Sequence, residues 1–135
     1  MIVDTSALLA YFNRLEPDHA AVTKVLDAST EPLVVSPFVI AETDYLVATR
    51  HGIEAELAVL AELAGGAWEL AAIDAPELAT ARGLVERYAD QAIGVADASM
   101  VVLAARYRTT TIVTLDRRHF DVVRPISGGH FTLLP

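Results

Sequence analysis

Short apolar runs alternate with longer amphipathic segments along the chain. The apolar runs predict five strands, at 1–3, 33–35, 68–73, 111–115 and 131–134, with the last at a sheet edge. The amphipathic segments predict six helices, at 5–13, 17–28, 37–50, 53–64, 76–89 and 95–107. Thr5 or Ser6 is expected to cap the first helix. The predicted order is β-α-α-β-α-α-β-α-α-β-β.

The strand pattern indicates the fold class. The predicted strands are short and uniformly apolar, as expected for a parallel sheet that is covered on both faces. We therefore expect an α/β protein with three layers, α/β/α, a mainly parallel central sheet and right-handed crossovers, forming a single domain over 1–135. In such sheets the ligand site lies beyond the carboxyl ends of the strands.

Composition narrows the class of protein. The chain has 135 residues, 53% of them hydrophobic, with no cysteine. Disulfides, thiolate metal sites and a cysteine nucleophile are thereby excluded, and a reducing cytoplasm is the expected location. No apolar run approaches the ~18 residues that a membrane span needs, and no basic segment precedes an apolar one at the N-terminus. We expect no membrane association.

The net charge of −8 is unevenly distributed. Residues 101–135 carry five arginines and two aspartates, so the acidic excess lies entirely in residues 1–100. An acidic chain is a poor broad electrostatic binder of nucleic acid, and it suits a cation or a basic partner. Acidity that only aids solubility is the alternative.

Four acidic residues occupy unusual positions. Asp4 and Asp116 each follow a predicted strand directly, and Asp97 lies in the first turns of the most apolar predicted helix. Glu42 has only apolar residues three and four positions away, which predicts that it faces inward. The same pattern surrounds Asp44, so the pattern alone does not separate the two.

Each acid also has an ordinary structural interpretation. Asp4 suits a helix N-cap, Asp97 suits the positive end of a helix dipole, and Asp116 suits a turn or cap. Together, however, Asp4 and Asp116 reach the same edge of a parallel sheet. Carboxylates that cluster repel one another unless a cation lies between them. With no convergent lysines or arginines in these elements, a metal is expected, and carboxylate oxygens suit Mg²⁺ or Mn²⁺.

Four stretches carry a family resemblance, namely VDTSALLAYF, AETDYL, GVADASMVVLA and TLDRRHF. In this order and spacing they resemble the PIN-domain ribonucleases, especially the toxins of bacterial VapBC toxin–antitoxin pairs. The resemblance implies that Asp4, Glu42, Asp97 and Asp116 are the catalytic acids that bind Mg²⁺ or Mn²⁺. It thereby selects Glu42 over Asp44.

The resemblance also implies supporting residues. Thr114 matches a hydroxyl that often lines the family's site, and Ser6 matches one that holds an acidic side chain or water. Their alternatives are a strand threonine and a helix cap. Arg117 and Arg118 are the candidates for RNA binding, or else solvated surface charges. His119 and His130 are interpreted as surface or turn residues.

The implied activity is metal-assisted hydrolysis of structured RNA, either a tRNA or the sarcin–ricin loop of large ribosomal RNA, which inhibits translation. The implied partners are the RNA substrate and a VapB-type antitoxin whose C-terminal segment wraps the toxin. A homodimer that pairs again through the antitoxin is also implied. The apolar helix surfaces of 17–28 and 37–64 are candidates for these interfaces, or else pack within the monomer.

Two rival functions keep the α/β sheet. A phosphotransferase or phosphatase with an aspartyl nucleophile at Asp4 would suit the strand–DTS junction. A haloacid-dehalogenase-like pattern, however, needs a second aspartate where Ser6 stands, and a phospho-receiver needs a lysine after a late strand, whereas the only lysine is Lys24. A non-catalytic interaction module would not need all four acids.

Overall fold

A computed structural model describes residues 1–135, with five strands and seven α-helices. The strands are β1 (Ile2–Val3), β2 (Val34–Val35), β3 (Glu69–Leu70), β4 (Thr111–Val113) and β5 (Thr132–Leu134). The helices are α1 (Thr5–Phe12), α2 (His19–Asp27), α3 (Pro37–His51), α4 (Ile53–Ala64), α5 (Ala75–Arg87), α6 (Val95–Arg106) and α7 (Arg117–Phe120). A 3-10 turn, Ala89–Gln91, lies between α5 and α6.

The sheet has the strand order β3-β2-β1-β4-β5, and every neighbouring pair is parallel. The predicted α/β class with a parallel central sheet is therefore confirmed, and β5 is an edge strand as expected. The register pairs Val3 with Val113, so the residues that follow β1 and β4 leave the sheet side by side at its carboxyl edge. Asp4 extends this pairing, because its backbone N–H donates to the carbonyl of Val113 at 3.0 Å.

The core surrounds the central strands. Ile2, Val3, Ile112 and Val113 have no exposed surface, as expected for strands covered on both faces. Helix α6 is buried continuously from Ala98 to Ala104, which explains why its sequence is apolar on nearly every side. Removing these side chains from water is the main source of stability for a fold of this kind.

Two serines fix α3 against α6. Ser36 caps α3, since its Oγ accepts a hydrogen bond from the N–H of Phe38 at 3.2 Å, and Pro37 occupies the first helical position. Ser99 of α6 lies 2.6 Å from Ser36 between the two Oγ atoms, and both residues are fully buried. The helices that carry Glu42 and Asp97 are thus joined by a buried polar contact.

The structure departs from the predicted elements at several ends. The strand expected at 68–73 is reduced to β3, whose two residues are exposed at the sheet edge. The helix expected at 76–89 ends at Arg87, and the short α7 was not predicted because it is capped by Asp116 rather than marked by an apolar stripe. None of the helices combines the length and apolar character needed to cross a membrane.

Candidate active site at the carboxyl edge of the sheet

Asp4 lies between β1 and α1 and is almost buried, with 8% of its surface exposed. It occupies the N-cap position of α1, but its side chain makes no capping hydrogen bond, and neither Thr5 nor Ser6 is the cap. The cap interpretation of all three residues is therefore wrong. Instead, Oδ2 of Asp4 accepts hydrogen bonds from Ser6 Oγ and Thr114 Oγ1, both at 2.7 Å.

Thr114 and Ser6 connect the ends of β1 and β4. Ser6 Oγ accepts from the N–H of Leu115 at 2.9 Å and lies 3.2 Å from Thr114 Oγ1. Thr114 Oγ1 accepts from the N–H of Asp116 at 3.0 Å. The two hydroxyls thus orient the Asp4 carboxylate and the backbone that leads to Asp116. Both residues lie where the sequence placed them, beside the acids.

Asp97 lies in the first turn of α6, close to Asp4. Its Oδ2 lies 2.9 Å from Nδ1 of His119 and accepts a hydrogen bond from the N–H of Gly94 at 3.3 Å. Burial raises the pKa of Asp97, the charge and hydrogen bonds of His119 and Gly94 lower it, and the charge of Asp4 raises it again, leaving the pKa above its ordinary value. Asp4 and Asp97 are therefore close enough for the charge of one to act on the other.

His119 is a site residue that the sequence interpretation missed. It was expected to be a surface or turn residue, but its side chain is about one quarter exposed and contacts Asp97. The available signal was its place in TLDRRHF, three residues after Asp116, because one helical turn returns a side chain to the same side of the chain. His130, by contrast, is exposed, as predicted.

Asp116 is tied to Arg118. Arg118 donates from Nε to Oδ1 at 2.9 Å and from Nη2 to Oδ2 at 2.6 Å, and its backbone N–H donates to Oδ1 at 3.3 Å. These hydrogen bonds hold the pKa of Asp116 below its ordinary value, against the opposing effect of burial. Asp116 also caps α7, so its cap interpretation holds alongside its place in the site.

Glu42 corrects a prediction about orientation. It was expected to face inward, but it is exposed. The buried stripe of α3 runs through Val39, Thr43 and Val47, and Glu42 flanks it by one residue, or about 100° around the helix. Its Oε2 nevertheless accepts a hydrogen bond of 2.5 Å from Thr5 Oγ1, next to Asp4 in the chain. Glu42 therefore reaches the site from its solvent side.

Asp44 lies apart from this network. It is half-buried on α3 and faces Glu56 of α4, whose pKa is raised by desolvation first and by the Asp44 carboxylate second. Arg117 also points elsewhere, since its Nη2 donates to the carbonyls of Pro135 at 2.8 Å and Leu133 at 3.4 Å. Arg118 therefore contacts an acid of the site and Arg117 does not, while the RNA-binding role expected of both arginines stays a prediction.

The donor chemistry of the site suits a hard divalent cation, because its free acceptors are carboxylate oxygens. Asp4, Glu42 and Asp97 each use one oxygen for hydrogen bonds and leave the other without a partner. Both oxygens of Asp116 are occupied by Arg118. As the side chains stand, no three histidine, aspartate or glutamate residues converge into a set of metal ligands. For Asp116 to become a ligand, Arg118 has to leave its carboxylate oxygens.

Comparison with solved structures places the fold among known toxins. The chain superposes on Mycobacterium tuberculosis VapC20, described as a sarcin–ricin loop cleaving toxin, with a TM-score of 0.78 and 20% identity, covering 85% of this chain and 88% of that one. It superposes on VapBC2 from Rickettsia felis, solved with a promoter DNA fragment, with a TM-score of 0.68 and 18% identity over 98% and 95% of the chains. At these identities the likeness shows a shared fold.

Comparison of the sequence with known families and proteins gives more specific matches. The family model of the PIN domain matches residues 1–125. Ribonuclease VapC26 of Mycobacterium tuberculosis is 66% identical over 135 residues, which is all of both chains. The resemblance inferred from the four motif stretches is thereby confirmed, and the chain belongs to the PIN-domain family and, within it, to the VapC ribonucleases.

Proposed function

We propose that this chain is a metal-dependent endoribonuclease, the toxin of a type II toxin–antitoxin pair, which cuts structured RNA in the cytoplasm and so inhibits translation. The observation that carries the proposal is that Thr114 links Asp4 to the backbone of Asp116 at the carboxyl edge of the sheet, where the charge of Asp4 also acts on Asp97. Family membership supports the same activity.

The four acids would contribute differently to binding a cation. Asp4 and Asp97 would hold it through their free oxygens, with Glu42 on the solvent side and Asp116 joining once Arg118 moves. When bound, Mg²⁺ or Mn²⁺ supplies an activated water and neutralises charge that develops on the phosphate being cut. Ser6 and Thr114 fix the orientation of Asp4, which lowers the cost of assembling the site.

The Asp4 carboxylate provides the direct test. Asp4→Asn keeps the shape and the hydrogen bonds to Ser6 and Thr114 possible, while it removes the charge. We expect Mn²⁺-dependent cleavage of RNA by the unaltered chain and a loss of at least ~100-fold in the variant. Asp27→Asn, at the exposed end of α2, is the matched control and should cut normally.

The rival phosphotransferase makes a different prediction for the same residue. If acetyl phosphate phosphorylates Asp4 covalently and no RNA is cut in Mn²⁺, the nuclease proposal fails. A folded chain that neither cuts RNA nor is phosphorylated would instead favour a non-catalytic interaction module.

We propose a tRNA or the sarcin–ricin loop as the substrate. The support is family membership, together with the description of VapC20, a relative in fold, as cleaving the sarcin–ricin loop. Sequencing the 5′ ends of total RNA after brief expression, in a host without the antitoxin, tests this directly. A discrete new end in one of these RNAs is expected, and scattered ends across mRNA would contradict it.

We propose a VapB-type antitoxin and a second copy of the chain as protein partners. Supporting this, Tyr45 of α3 and Ile53 and Leu57 of α4 are apolar yet 68%, 62% and 59% exposed, and the net charge of −8 suits a basic antitoxin segment. Light scattering of the purified chain, alone and co-expressed with the neighbouring antitoxin gene, tests both interfaces. A monomer in both samples would contradict them.

A further inference from the structure

Tyr88 joins two arginines that the sequence did not link to the site. The guanidinium carbon of Arg87 lies 5.5 Å from the centre of the Tyr88 ring, and the hydroxyl of Tyr88 accepts a hydrogen bond of 3.2 Å from the backbone N–H of Arg124. We refer to Arg87, Tyr88 and Arg124 as the arginine rim.

The connections of the chain lead both segments of the arginine rim towards the part of the molecule that holds Asp97. Tyr88 follows α5, which packs along α6, so it lies near the start of α6, where Asp97 is found. Arg124 lies five residues after His119, whose ring contacts Asp97. Five residues span at most about 18 Å when fully extended, and the turn after α7 shortens this distance.

The backbone of the arginine rim is held firmly. Val123 and Pro125, on either side of Arg124, are buried, and Tyr88 is half-buried. The N–H groups of Val122 and Val123 both donate to the carbonyl of His119, at 3.1 Å and 2.9 Å, so the turn that carries Arg124 is fixed to the residue that contacts Asp97. A fixed backbone presents a charge at less entropic cost than a mobile loop.

The charges of the rim are free of carboxylate partners. Arg87 and Arg124 form no salt bridge, whereas Arg82, Arg106 and Arg118 each pair with an acid. Two acids lie close to the rim in sequence. Glu86 pairs with Arg82, and Asp90 accepts a hydrogen bond from the side chain of Gln91, so neither forms a salt bridge with an arginine of the rim. Two unneutralised guanidinium groups next to an aromatic ring are suited to phosphates and stacked bases.

We propose that the arginine rim binds the phosphate backbone of the RNA strand that enters the acid site, an inference that rests on the proposed function. An acidic site repels a phosphodiester chain, so affinity for RNA must come from cations next to the site. Arg118 is occupied by Asp116, and Arg117 is turned towards the carbonyls of 133–135. Arg124 donates from Nη1 to the carbonyl of Asp121 at 3.1 Å but, like Arg87, has no carboxylate partner, so these two arginines are the candidates for this role. Tyr88 contacts both arginines, through its ring with the guanidinium of Arg87 and through its hydroxyl with the backbone of Arg124.

The salt dependence of RNA binding tests whether the arginine rim contacts phosphates. A fluorescein-labelled synthetic RNA hairpin is bound by the Asp4→Asn chain in EDTA, so that no cleavage occurs, and Kd is followed by anisotropy from 50 to 300 mM KCl. In the same background, Arg87→Gln plus Arg124→Gln should weaken binding by about 5–20-fold near 100 mM salt. The slope of log K against log salt should flatten by about 1.4–1.8, or ~0.7–0.9 per lost phosphate contact.

A matched control removes the same charge elsewhere. Arg14, in the turn after α1, and Arg50, in the last turn of α3, are exposed and form no salt bridge, so Arg14→Gln plus Arg50→Gln should leave the slope unchanged. Arg87→Lys plus Arg124→Lys should restore most of the slope. An unaltered slope in the rim variant, or an equal loss in the control, overturns the proposal.

Kinetics separate the rim from the proposed function. With Asp4 intact and Mn²⁺ present, the rim variant should raise KM for RNA cleavage by a similar factor and leave kcat unchanged. Cleavage with unchanged KM would overturn the rim and leave the ribonuclease proposal standing. If the unaltered chain fails to cut RNA while the salt slope still depends on Arg87 and Arg124, the ribonuclease proposal fails and the rim remains an RNA-binding surface.

Discussion

Arg118 occupies both carboxylate oxygens of Asp116, through hydrogen bonds of 2.9 Å and 2.6 Å. Asp4 and Asp97, by contrast, each keep one oxygen without a partner. The guanidinium therefore stands where a positive charge is needed to balance the acids, and a divalent cation has to compete with it for Asp116. This competition gives the side chain of Arg118 a measurable effect on metal affinity.

Arg118→Ala should tighten the binding of Mn²⁺. The ion pair is largely exposed, and such pairs are worth about 0.2–1 kcal/mol, so a decrease in Kd of roughly 1.5–5-fold is expected. Isothermal titration calorimetry of the apo chain measures it. Arg117→Ala, which removes an arginine bound to the C-terminal backbone instead, is the control. Weaker binding in the Arg118 variant would mean that the guanidinium helps to assemble the metal site.

Asp97→Asn should stabilise the metal-free chain while it abolishes cleavage. The raised pKa shows that ionised Asp97 costs more in the folded chain than in the unfolded one, mainly through burial. A higher Tm is therefore expected, and each added 1 kcal/mol would correspond to about 3–5 °C for a domain of this size. Calorimetry in EDTA at neutral pH measures the gain, and a lower Tm would show that the His119 contact outweighs the cost of burial.

The stability that Asp97→Asn adds to the metal-free chain should increase as pH rises. Well below the unfolded pKa of about 3.9, Asp97 is protonated in both the folded and the unfolded chain. Its ionisation then makes no difference to the relative stability of the wild-type chain and the variant. As pH rises from the unfolded pKa to the raised pKa of the folded state, the wild-type chain loses stability relative to the variant, and the difference is complete above the folded pKa. A difference in Tm that shrinks with rising pH would contradict this origin.

Thr114→Val should damage both the stability and the activity of the chain. The substitution keeps the shape of a fully buried residue but removes the hydroxyl that Asp4 and the N–H of Asp116 share. A loss of about 1–3 kcal/mol in the free energy of unfolding and of about 10–100-fold in cleavage is expected. Thr114→Ser keeps the hydroxyl, so urea unfolding and RNA cleavage should both return most of the way to wild type.

Ser99→Ala tests the contact between α3 and α6. The two serine Oγ atoms lie 2.6 Å apart in the core, and removing one leaves the other with the N–H of Phe38 alone. We expect a loss of about 0.5–1.5 kcal/mol in unfolding free energy. A double-mutant cycle with Ser36→Ala isolates the pair from the helix cap. A coupling energy of zero would show that the two hydroxyls are bound independently.

Much of the fold and of the site was predictable because it follows from local pattern. Strands that are apolar on both faces have to lie inside a parallel sheet, and parallel strands place their carboxyl ends together, which brought Asp4 and Asp116 into one prediction. The orientation of Glu42 was not predictable from neighbours at helical spacing, because Tyr45 is apolar but 68% exposed. Apolar neighbours therefore did not mark the buried side of α3.

The contacts of Arg117, Arg118 and His119 could not be predicted from the sequence for a different reason. Arg117 and Arg118 are adjacent and identical in type, but successive residues of a helical turn point about 100° apart. One therefore reaches Asp116 and the other the backbone of 133–135. His119 contacts Asp97 only because α7 forms, and α7 has four residues with no apolar periodicity to predict it.

The hydrogen bond between Thr114 and Asp4 joins residues 110 positions apart. Long loops close slowly, because their entropy must be lost before the contact that rewards it forms. The contact that orients Asp4 therefore cannot form on a chain that is still being synthesised until β4 and Thr114 have been made.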